Sequence, residues 1–506
     1  MPPAVSTTRL ICPLTATDTE AMRSAMYAAA DAGADAVECR LDYLSAPPSE
    51  AQLVALLSDA PAKVIATCRP KRQGGRFEGD EAERLAILSR AAGHSPAFVD
   101  VEADVPEANR PAGTTILSHH DFDSCPADLD TIAAGLGASA AAVNKVVFAA
   151  AGPEDALRAF DVLRGSKKPT IALAMGEPGV VSRILAGKFG AFGTFAALAR
   201  GDESAPGQPT IAELKHLYRW DRLGPQTAVY GVIGCPVAHS MSPAIHNRAF
   251  DEAGMDAVYV PLLIQPGADN FNRFMDALLA RPWTDFRGLS VTIPHKENAL
   301  AYVGAGNCDA LAAKIGAVNT ITISPGGALR GDNTDYAAAI DALCSAMGIG
   351  RAGLAGRSVA VLGAGGAARA IVAALAHYWA EVNIYNRTVA RGERLAAEFG
   401  CRAAGLDAAV GLDAQVIINC TPIGMHPEVD RAPLTAIPSG VEVVFDTIYN
   451  PIDTLLLRKA RQAGCLTVSG LEMFVNQAVA QFEIWTGRDA PRRAMREVVL
   501  KRLGVG

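Results

Sequence analysis

The chain is predicted to be α/β throughout, an N-terminal (β/α)8 TIM barrel joined to a second half that contains a Rossmann unit. Three observations predict it. Short apolar runs alternate with amphipathic ones eight times before about Leu223, and each helical crossover makes the next strand parallel. The segment GPQTA, residues 224–228, interrupts the pattern, which restarts at VYGVIG. From Ser358 an apolar strand enters a glycine-rich turn and then a helix, the arrangement that brings a pyrophosphate to a helix N-terminus.

Taken in order, the barrel strands are read at RLICPLTA, ADAVECRLD, KVIATCR, AFVDVEAD, TTILSHHDF, AAVNKVVFAA, TIALAMG and FGTFAAL. Helical stretches such as DTEAMRSAMYAAADAG, DEAERLAILSRAAG and PEDALRAFDVLRG lie between them. Most open on Asp, Ser or Pro and several close on Gly, as helix caps and stops do. A chain of 506 residues, half apolar and a fifth charged, reads as a soluble globular protein of several domains. A net charge of −7 does not favour nucleic acid or an anionic membrane as partner. No apolar stretch is long enough to span a bilayer. RLICPLTA already reads as a strand, so no leader is expected and the expected location is cytoplasmic. The ten cysteines, Cys39, Cys68 and Cys420 among them, show no C-x-x-C pair and read as reduced, buried thiols. The histidines have no zinc spacing, and no metal is expected.

Polar residues gather toward the C-terminal strand ends, where this fold carries its chemistry. Glu38, Arg40 and Asp42 end the second run and Arg69 the third; Glu102, His119–His120 and Lys145 sit on the fourth, fifth and sixth. Lys145 is the sharpest case, because its strand is otherwise almost wholly apolar. A lysine there snorkels to solvent, meets a carboxylate, or gives up its proton.

The segments VECRLD, TCRPKRQGGRFEGDE, SHHDF, NK, MGEPGVVSRI and SAPGQPT resemble type I 3-dehydroquinate dehydratase in order and spacing. The resemblance implies that Lys145 forms a Schiff base with the substrate ketone, attacking as the neutral amine that an apolar strand favours. It implies that His120 is the general acid–base, with His119 a neighbour. It places Arg183, Ser204 and Gln208 at the substrate carboxylate and Glu38, Arg40 and Arg69 around its hydroxyls. One position departs: four residues after Arg69, where the family usually has a glutamate supporting the histidine, stands Gln73.

In the second half, SVAVLGAGGAARAIVAALA carries G-x-G-x-x-A at Gly363, Gly365 and Ala368. The next strand, EVNIYNRT, ends where a carboxylate would select NAD. Asn386, Arg387 and Thr388 stand there instead, with Arg391 beyond, and a guanidinium favours the 2′-phosphate of NADP. The motifs HSMSPAIHN, VTIPHK, AVNT, DNTD, NCTPIGM, DTIYNP and SGLEMFVNQA resemble shikimate dehydrogenase. That resemblance implies hydride transfer between NADPH and the C3 carbonyl of 3-dehydroshikimate. Lys296 would be the proton donor, paired with Asp335. Ser240 and Ser242 would hold the carboxylate, and Thr292, Asn319, Tyr449 and Gln477 the rest of the substrate. The cofactor would lie on Gly363, Ala364, Gly365, Gly366, Ala367, Asn386, Arg387, Thr388, Arg391, Thr421, Met425 and Gly470.

Fused in this order, the halves resemble the bifunctional dehydroquinate dehydratase–shikimate dehydrogenases of plants. The implied division is 1–223 for the dehydratase barrel and 228–336, completed by helices in 471–506, for an αβα substrate domain. Residues 337–470 would form the NADP domain. The implied partners are small molecules: 3-dehydroquinate, 3-dehydroshikimate and shikimate. Two alternatives are a dehydrogenase half acting on quinate and a quinate- or shikimate-responsive regulator with weakened catalysis. Retention of Lys145, His120, Lys296 and Asp335, with no DNA-binding extension, favours the enzyme.

Overall fold

The computed structural model describes residues 8–238 and 240–504; His239, the first residue of HSMSPAIHN, lies outside them. The first half forms an eight-stranded parallel sheet: β1 Arg9–Leu14, β2 Ala36–Arg40, β3 Lys63–Thr67, β4 Phe98–Glu102, β5 Thr115–Asp121, β6 Val143–Ala149, β7 Thr170–Met175 and β8 Gly193–Phe195. They pair in the order β7-β6-β5-β4-β3-β2-β1-β8. The amide of Phe192, just before β8, donates to the Thr170 carbonyl at the start of β7 at 2.8 Å, which nearly closes the barrel.

The two faces of each strand meet different partners, because successive side chains alternate. Val37, Val64, Val99, Leu117 and Val146 pack outward against the helices. Ile11, Ala36, Ile65, Ile116, Val143 and Ile171 fill the interior. Two residues further along the same inward face, the side chains become Glu38, Thr67, Asp100, Ser118 and Lys145, all buried. The barrel is thus an apolar plug beneath a charged floor. Its helices are capped as their sequences suggest. Asp18 accepts from the Ala21 amide, and Ser49–Gln52 and Asp80–Glu83 form reciprocal capping boxes. Burial pushes the thiols of Cys39 and Cys68 up to about 12, and all ten cysteines are free.

The second half holds two more sheets. In the first, β9 Ala228–Gly234, β10 Ala257–Leu263, β11 Phe286–Val291, β12 Thr320–Ile323 and β13 Leu329–Asp332 take the order β10-β9-β11-β12-β13, the last two strands antiparallel. The second comprises β14 Ser358–Leu362, β15 Glu381–Asn386, β16 Arg402–Gly405, β17 Val416–Asn419, β18 Val443–Asp446 and β19 Leu466–Ser469. Its order, β16-β15-β14-β17-β18-β19, is fully parallel and reverses direction between β14 and β17, the switch point where such sheets bind nucleotides. The helices Gly470–Thr486 and Arg492–Arg502 then return to the first of these sheets. Val475, Phe482 and Met495 share a core there with Tyr230, Ile245 and Tyr259.

Candidate active sites

Along the inward face of the barrel, charge is paired across strands. Lys145 Nζ donates to Asp100 Oδ2 at 2.9 Å, lies 3.5 Å from Glu38 Oε1, and stands 4.4 Å from the centre of the Phe195 ring. The apolar run around Lys145 therefore does not leave it unpaired; of the outcomes open to a lysine there, it meets a carboxylate. Carboxylates on β2 and β4 reach it across the interior and offset the cost of burying its charge. Arg69 donates to Glu102 at 2.7 Å and to Ser118 Oγ at 2.8 Å, and its other nitrogen is 2.9 Å from Asp100. Burial alone would raise the Asp100 carboxyl, but Arg69 and Lys145 outweigh it and hold the group well below the usual carboxylate range. Arg40 is bidentate on Asp42 at 2.9 and 2.8 Å.

His120, at the end of β5, places Nδ1 3.2 Å from Gln73 Oε1. An amide oxygen only accepts, so Nδ1 carries the proton and Nε2 is left as the base. Burial, reinforced by the cations of Arg69 and Lys145, pushes the imidazole well below its ordinary pKa. Phe122 stacks on the ring with centroids 6.0 Å apart. It also occupies the space above Gly74, where a β-carbon would fall 2.2 Å from the Phe122 ring. Arg183 is 2 % exposed and has no carboxylate partner among the described residues; burial brings its pKa down to about 10. Gln208 Oε1 accepts the Ser204 amide at 2.9 Å. One cavity is lined by Glu38, Arg40, Arg69, Gln73, His120, Phe122, Lys145, Arg183, Ser204 and Gln208.

A second cavity, of about 210 Å³, is lined by Ser240, Ser242, Thr292, Lys296, Asn319, Asp335, Tyr449, Gly470 and Gln477. Lys296 opens a helix, Lys296–Val303, and donates to Asp335 Oδ2 at 2.6 Å. Asp335 stands in the first turn of the helix Thr334–Met347. Asn319 fixes that turn, since its Oδ1 accepts the Thr334 amide at 2.7 Å. The Tyr449 ring stacks on Phe474 at 4.7 Å, and Gln477 Nε2 donates to the Phe474 carbonyl at 2.9 Å.

At the end of β14, Gly363 has φ +108°, and a β-carbon there would fall 3.0 Å from the Cys420 carbonyl oxygen. Gly365 and Gly366 leave open space where a side chain would stand, at the start of the helix Gly366–His377. Arg387 and Arg391 are exposed and make no ion pair among the described residues. A β-carbon on Gly470 would fall 2.3 Å from the Thr447 carbonyl, so the chain closes on itself beside the second cavity. An open amide cradle with two free guanidinium groups and no carboxylate at the end of β15 fits a dinucleotide bearing a 2′-phosphate.

Sequence reasoning missed several buried residues of these sites. Asp100 lies two residues before Glu102, and Ser118 two before His120, so period-two alternation pointed to both. Gln481 stands one helical turn after Gln477. Its Oε1 is 3.2 Å from His246 Nε2 and accepts from Ser290 Oγ at 2.7 Å, while its Nε2 donates to Thr320 Oγ1 at 3.2 Å. His246 itself is pushed down to about 3 by burial.

The fold and the two cavities define a two-site enzyme, and comparisons with known proteins agree. Residues 10–225 match the type I 3-dehydroquinase model. Residues 232–321 match the shikimate dehydrogenase substrate binding domain, 347–423 the shikimate/quinate 5-dehydrogenase model, and 470–500 the shikimate 5′-dehydrogenase C-terminal domain. The chloroplastic bifunctional 3-dehydroquinate dehydratase/shikimate dehydrogenase of Arabidopsis thaliana is 39% identical over 97% of this chain and 84% of its own. The shikimate dehydrogenase (NADP(+)) of Methanosarcina acetivorans is 42% identical over 54% of this chain and 98% of its own. The solved dehydroquinate dehydratase and shikimate dehydrogenase from S. pombe AroM is 26% identical, covering 97% of this chain and 98% of that one, with a TM-score of 0.44. The chain belongs to the bifunctional 3-dehydroquinate dehydratase/shikimate dehydrogenase family.

Proposed function

We propose that the barrel cavity dehydrates 3-dehydroquinate through a Schiff base on Lys145, and that the second cavity reduces the resulting 3-dehydroshikimate with Lys296 as proton donor. The chain is a 3-dehydroquinate dehydratase and an NADP-dependent shikimate dehydrogenase; the proposal assigns those activities to residues. It also divides the chain into 1–223 for the dehydratase, 228–336 with 471–506 for the dehydrogenase substrate, and 337–470 for NADP.

The observation that carries the reading is Arg183. A buried guanidinium without a carboxylate partner, in one cavity with Lys145 and His120, supports a substrate that brings its own carboxylate. Lys145 adds to the ketone of that substrate and water leaves, giving an iminium. His120 Nε2 takes the proton from the adjacent carbon, and the iminium accepts the electron pair. The imidazolium then returns its proton to the departing hydroxyl, and addition of water to the iminium breaks the C–N bond, freeing the ketone product and Lys145. In the second cavity Ser240 and Ser242 hold the carboxylate, and Lys296, kept in place by Asp335, protonates the ketone oxygen. When bound, NADPH supplies the hydride. Arg387 and Arg391 hold its 2′-phosphate.

Borohydride reduction with 3-dehydroquinate tests the barrel assignment directly. The expected result is substrate mass on the peptide that contains Lys145. Label on another lysine, or none, overturns it.

A further inference from the structure

The mechanism leaves Asp100 without a task, although three side chains converge on it. It is 1 % exposed, sits on β4, and binds groups on or just beyond three other strands: Lys145 at 2.9 Å, Arg69 at 2.9 Å and Ser118 Oγ at 2.7 Å. Unlike Glu38, it does not line the cavity. Asp100 touches two residues that do line it, Lys145 and Arg69, and of these only Lys145 carries the nitrogen that reacts.

We propose that Asp100 is the counterion of the Schiff base, holding Lys145 in place before substrate arrives and staying paired with the iminium nitrogen that replaces the ammonium. This rests on the assignment of Lys145 as the nucleophile. The charge balance favours it. An ammonium and a ketone give an iminium and one water, so the positive charge stays on the same nitrogen and no proton leaves the site. A carboxylate that pairs with the first therefore pairs equally with the second. Its other neighbours, Arg69 and Ser118, keep the carboxylate from following the nitrogen as the bond forms. With Arg69 and Lys145 holding its carboxyl low, Asp100 remains ionised through the working pH range. Glu38 is less suited, because at 3.5 Å it is farther from Nζ and it faces the substrate. Asp100 is thus a positioning residue, acting on the reacting nitrogen through Lys145.

A charge role and a packing role rank two substitutions oppositely. Asp100→Asn keeps the shape and loses the charge, whereas Asp100→Glu keeps the charge and adds a methylene. The proposal expects Asp100→Asn to lower dehydratase kcat about tenfold or more with KM for 3-dehydroquinate within about threefold. Borohydride-trapped adduct on Lys145 should fall in parallel, while dehydrogenase turnover of the same chain is unchanged. Asp100→Glu should be the more active of the two. In Asp100→Ala, added formate should restore part of kcat where chloride at equal ionic strength does not. Asp100→Asn equal to or better than Asp100→Glu, with no formate effect, overturns the proposal. If Asp100→Asn fails to fold, Asp100→Glu against the parent and the formate series decide in its place. A parent chain that traps no adduct on Lys145 defeats the Schiff-base assignment itself, whereas normal trapping in both parent and Asp100→Asn defeats the counterion alone.

Discussion

At the scale of single residues, Gln73 sets the surroundings of His120, the proposed acid–base group. Its amide oxygen receives the His120 Nδ1 proton at 3.2 Å but offers no negative charge to an imidazolium. The ring is already held well below its ordinary pKa by burial and by Arg69 and Lys145. It therefore stays neutral into acidic solution, and the same shift makes the imidazolium that forms on proton abstraction costlier to reach. Gln73→Glu should raise the histidine pKa, increase dehydratase kcat and move the acid limb of the pH–rate profile to higher pH. KM should change little, because the added interaction matters chiefly in the transition state. A gain confined to KM, or none, would make Gln73 a tolerated neighbour. His120, Lys145 and Arg183 were legible in the sequence as motif members. Their electrostatics were not, because the partners of Lys145 lie on strands far away in the chain, and only folding brings Asp100 and Glu38 to it.

At the scale of elements, all eight barrel strands were legible, because each is a short apolar run bounded by cap and turn residues. The polar network at the end of β18 was not. Asp446 is fully buried there, accepting from Asn419 Nδ2 at 3.0 Å, the Ile448 amide at 3.1 Å and Thr454 Oγ1 at 2.7 Å. The carboxylate ties β17 and β18 to the helix Leu455–Gln462, whose N-cap is Thr454. Burial, opposed by these hydrogen bonds, pushes its carboxyl up from 3.8 to about 6. The folded state thus binds a proton that the unfolded chain does not hold between those values. Its contribution to stability grows as pH falls through 6 and is complete only below 3.8. Asp446→Asn abolishes that titration while keeping the shape. Relative to the parent, the variant should be more stable at pH 7 than at pH 4, by on the order of 3 kcal/mol. Denaturant unfolding of both proteins at the two pH values checks it. An equal difference at both leaves no role for the carboxyl proton.

At the scale of the whole molecule, the question is why two enzymes in one chain pack as they do. Helix Pro153–Gly165 of the barrel, which follows the Lys145 strand, faces the helix Ala268–Leu279 and the turn after it. Arg281 clamps Asp161 with three contacts of 2.7–3.1 Å, and Arg273 donates to Glu154 at 2.7 Å. Trp283 meets Phe189 edge-on at 5.6 Å and carries Arg164 at 4.7 Å from its ring. The Lys188 ammonium is buried on the carbonyls of Pro225 and Thr227, which pins the connecting segment. None of this was legible, since Arg281 and Trp283 belong to no motif and surface patterns do not name a partner. The ion pairs are partly exposed and contribute under about 1 kcal/mol each. Trp283 is half-buried, and truncating it removes most of the aromatic contact at a cost of about 3 kcal/mol, the low end for aromatic-to-alanine changes. Trp283→Ala should therefore leave both activities intact at 25 °C but separate their thermal losses. In the parent, dehydratase and dehydrogenase should be lost together on heating. In the variant one half should fail earlier, by several degrees at about 2–4 °C per kcal/mol, giving two calorimetric transitions. A single unshifted transition would mean that the halves are joined by the segment Lys188 holds and not by their faces.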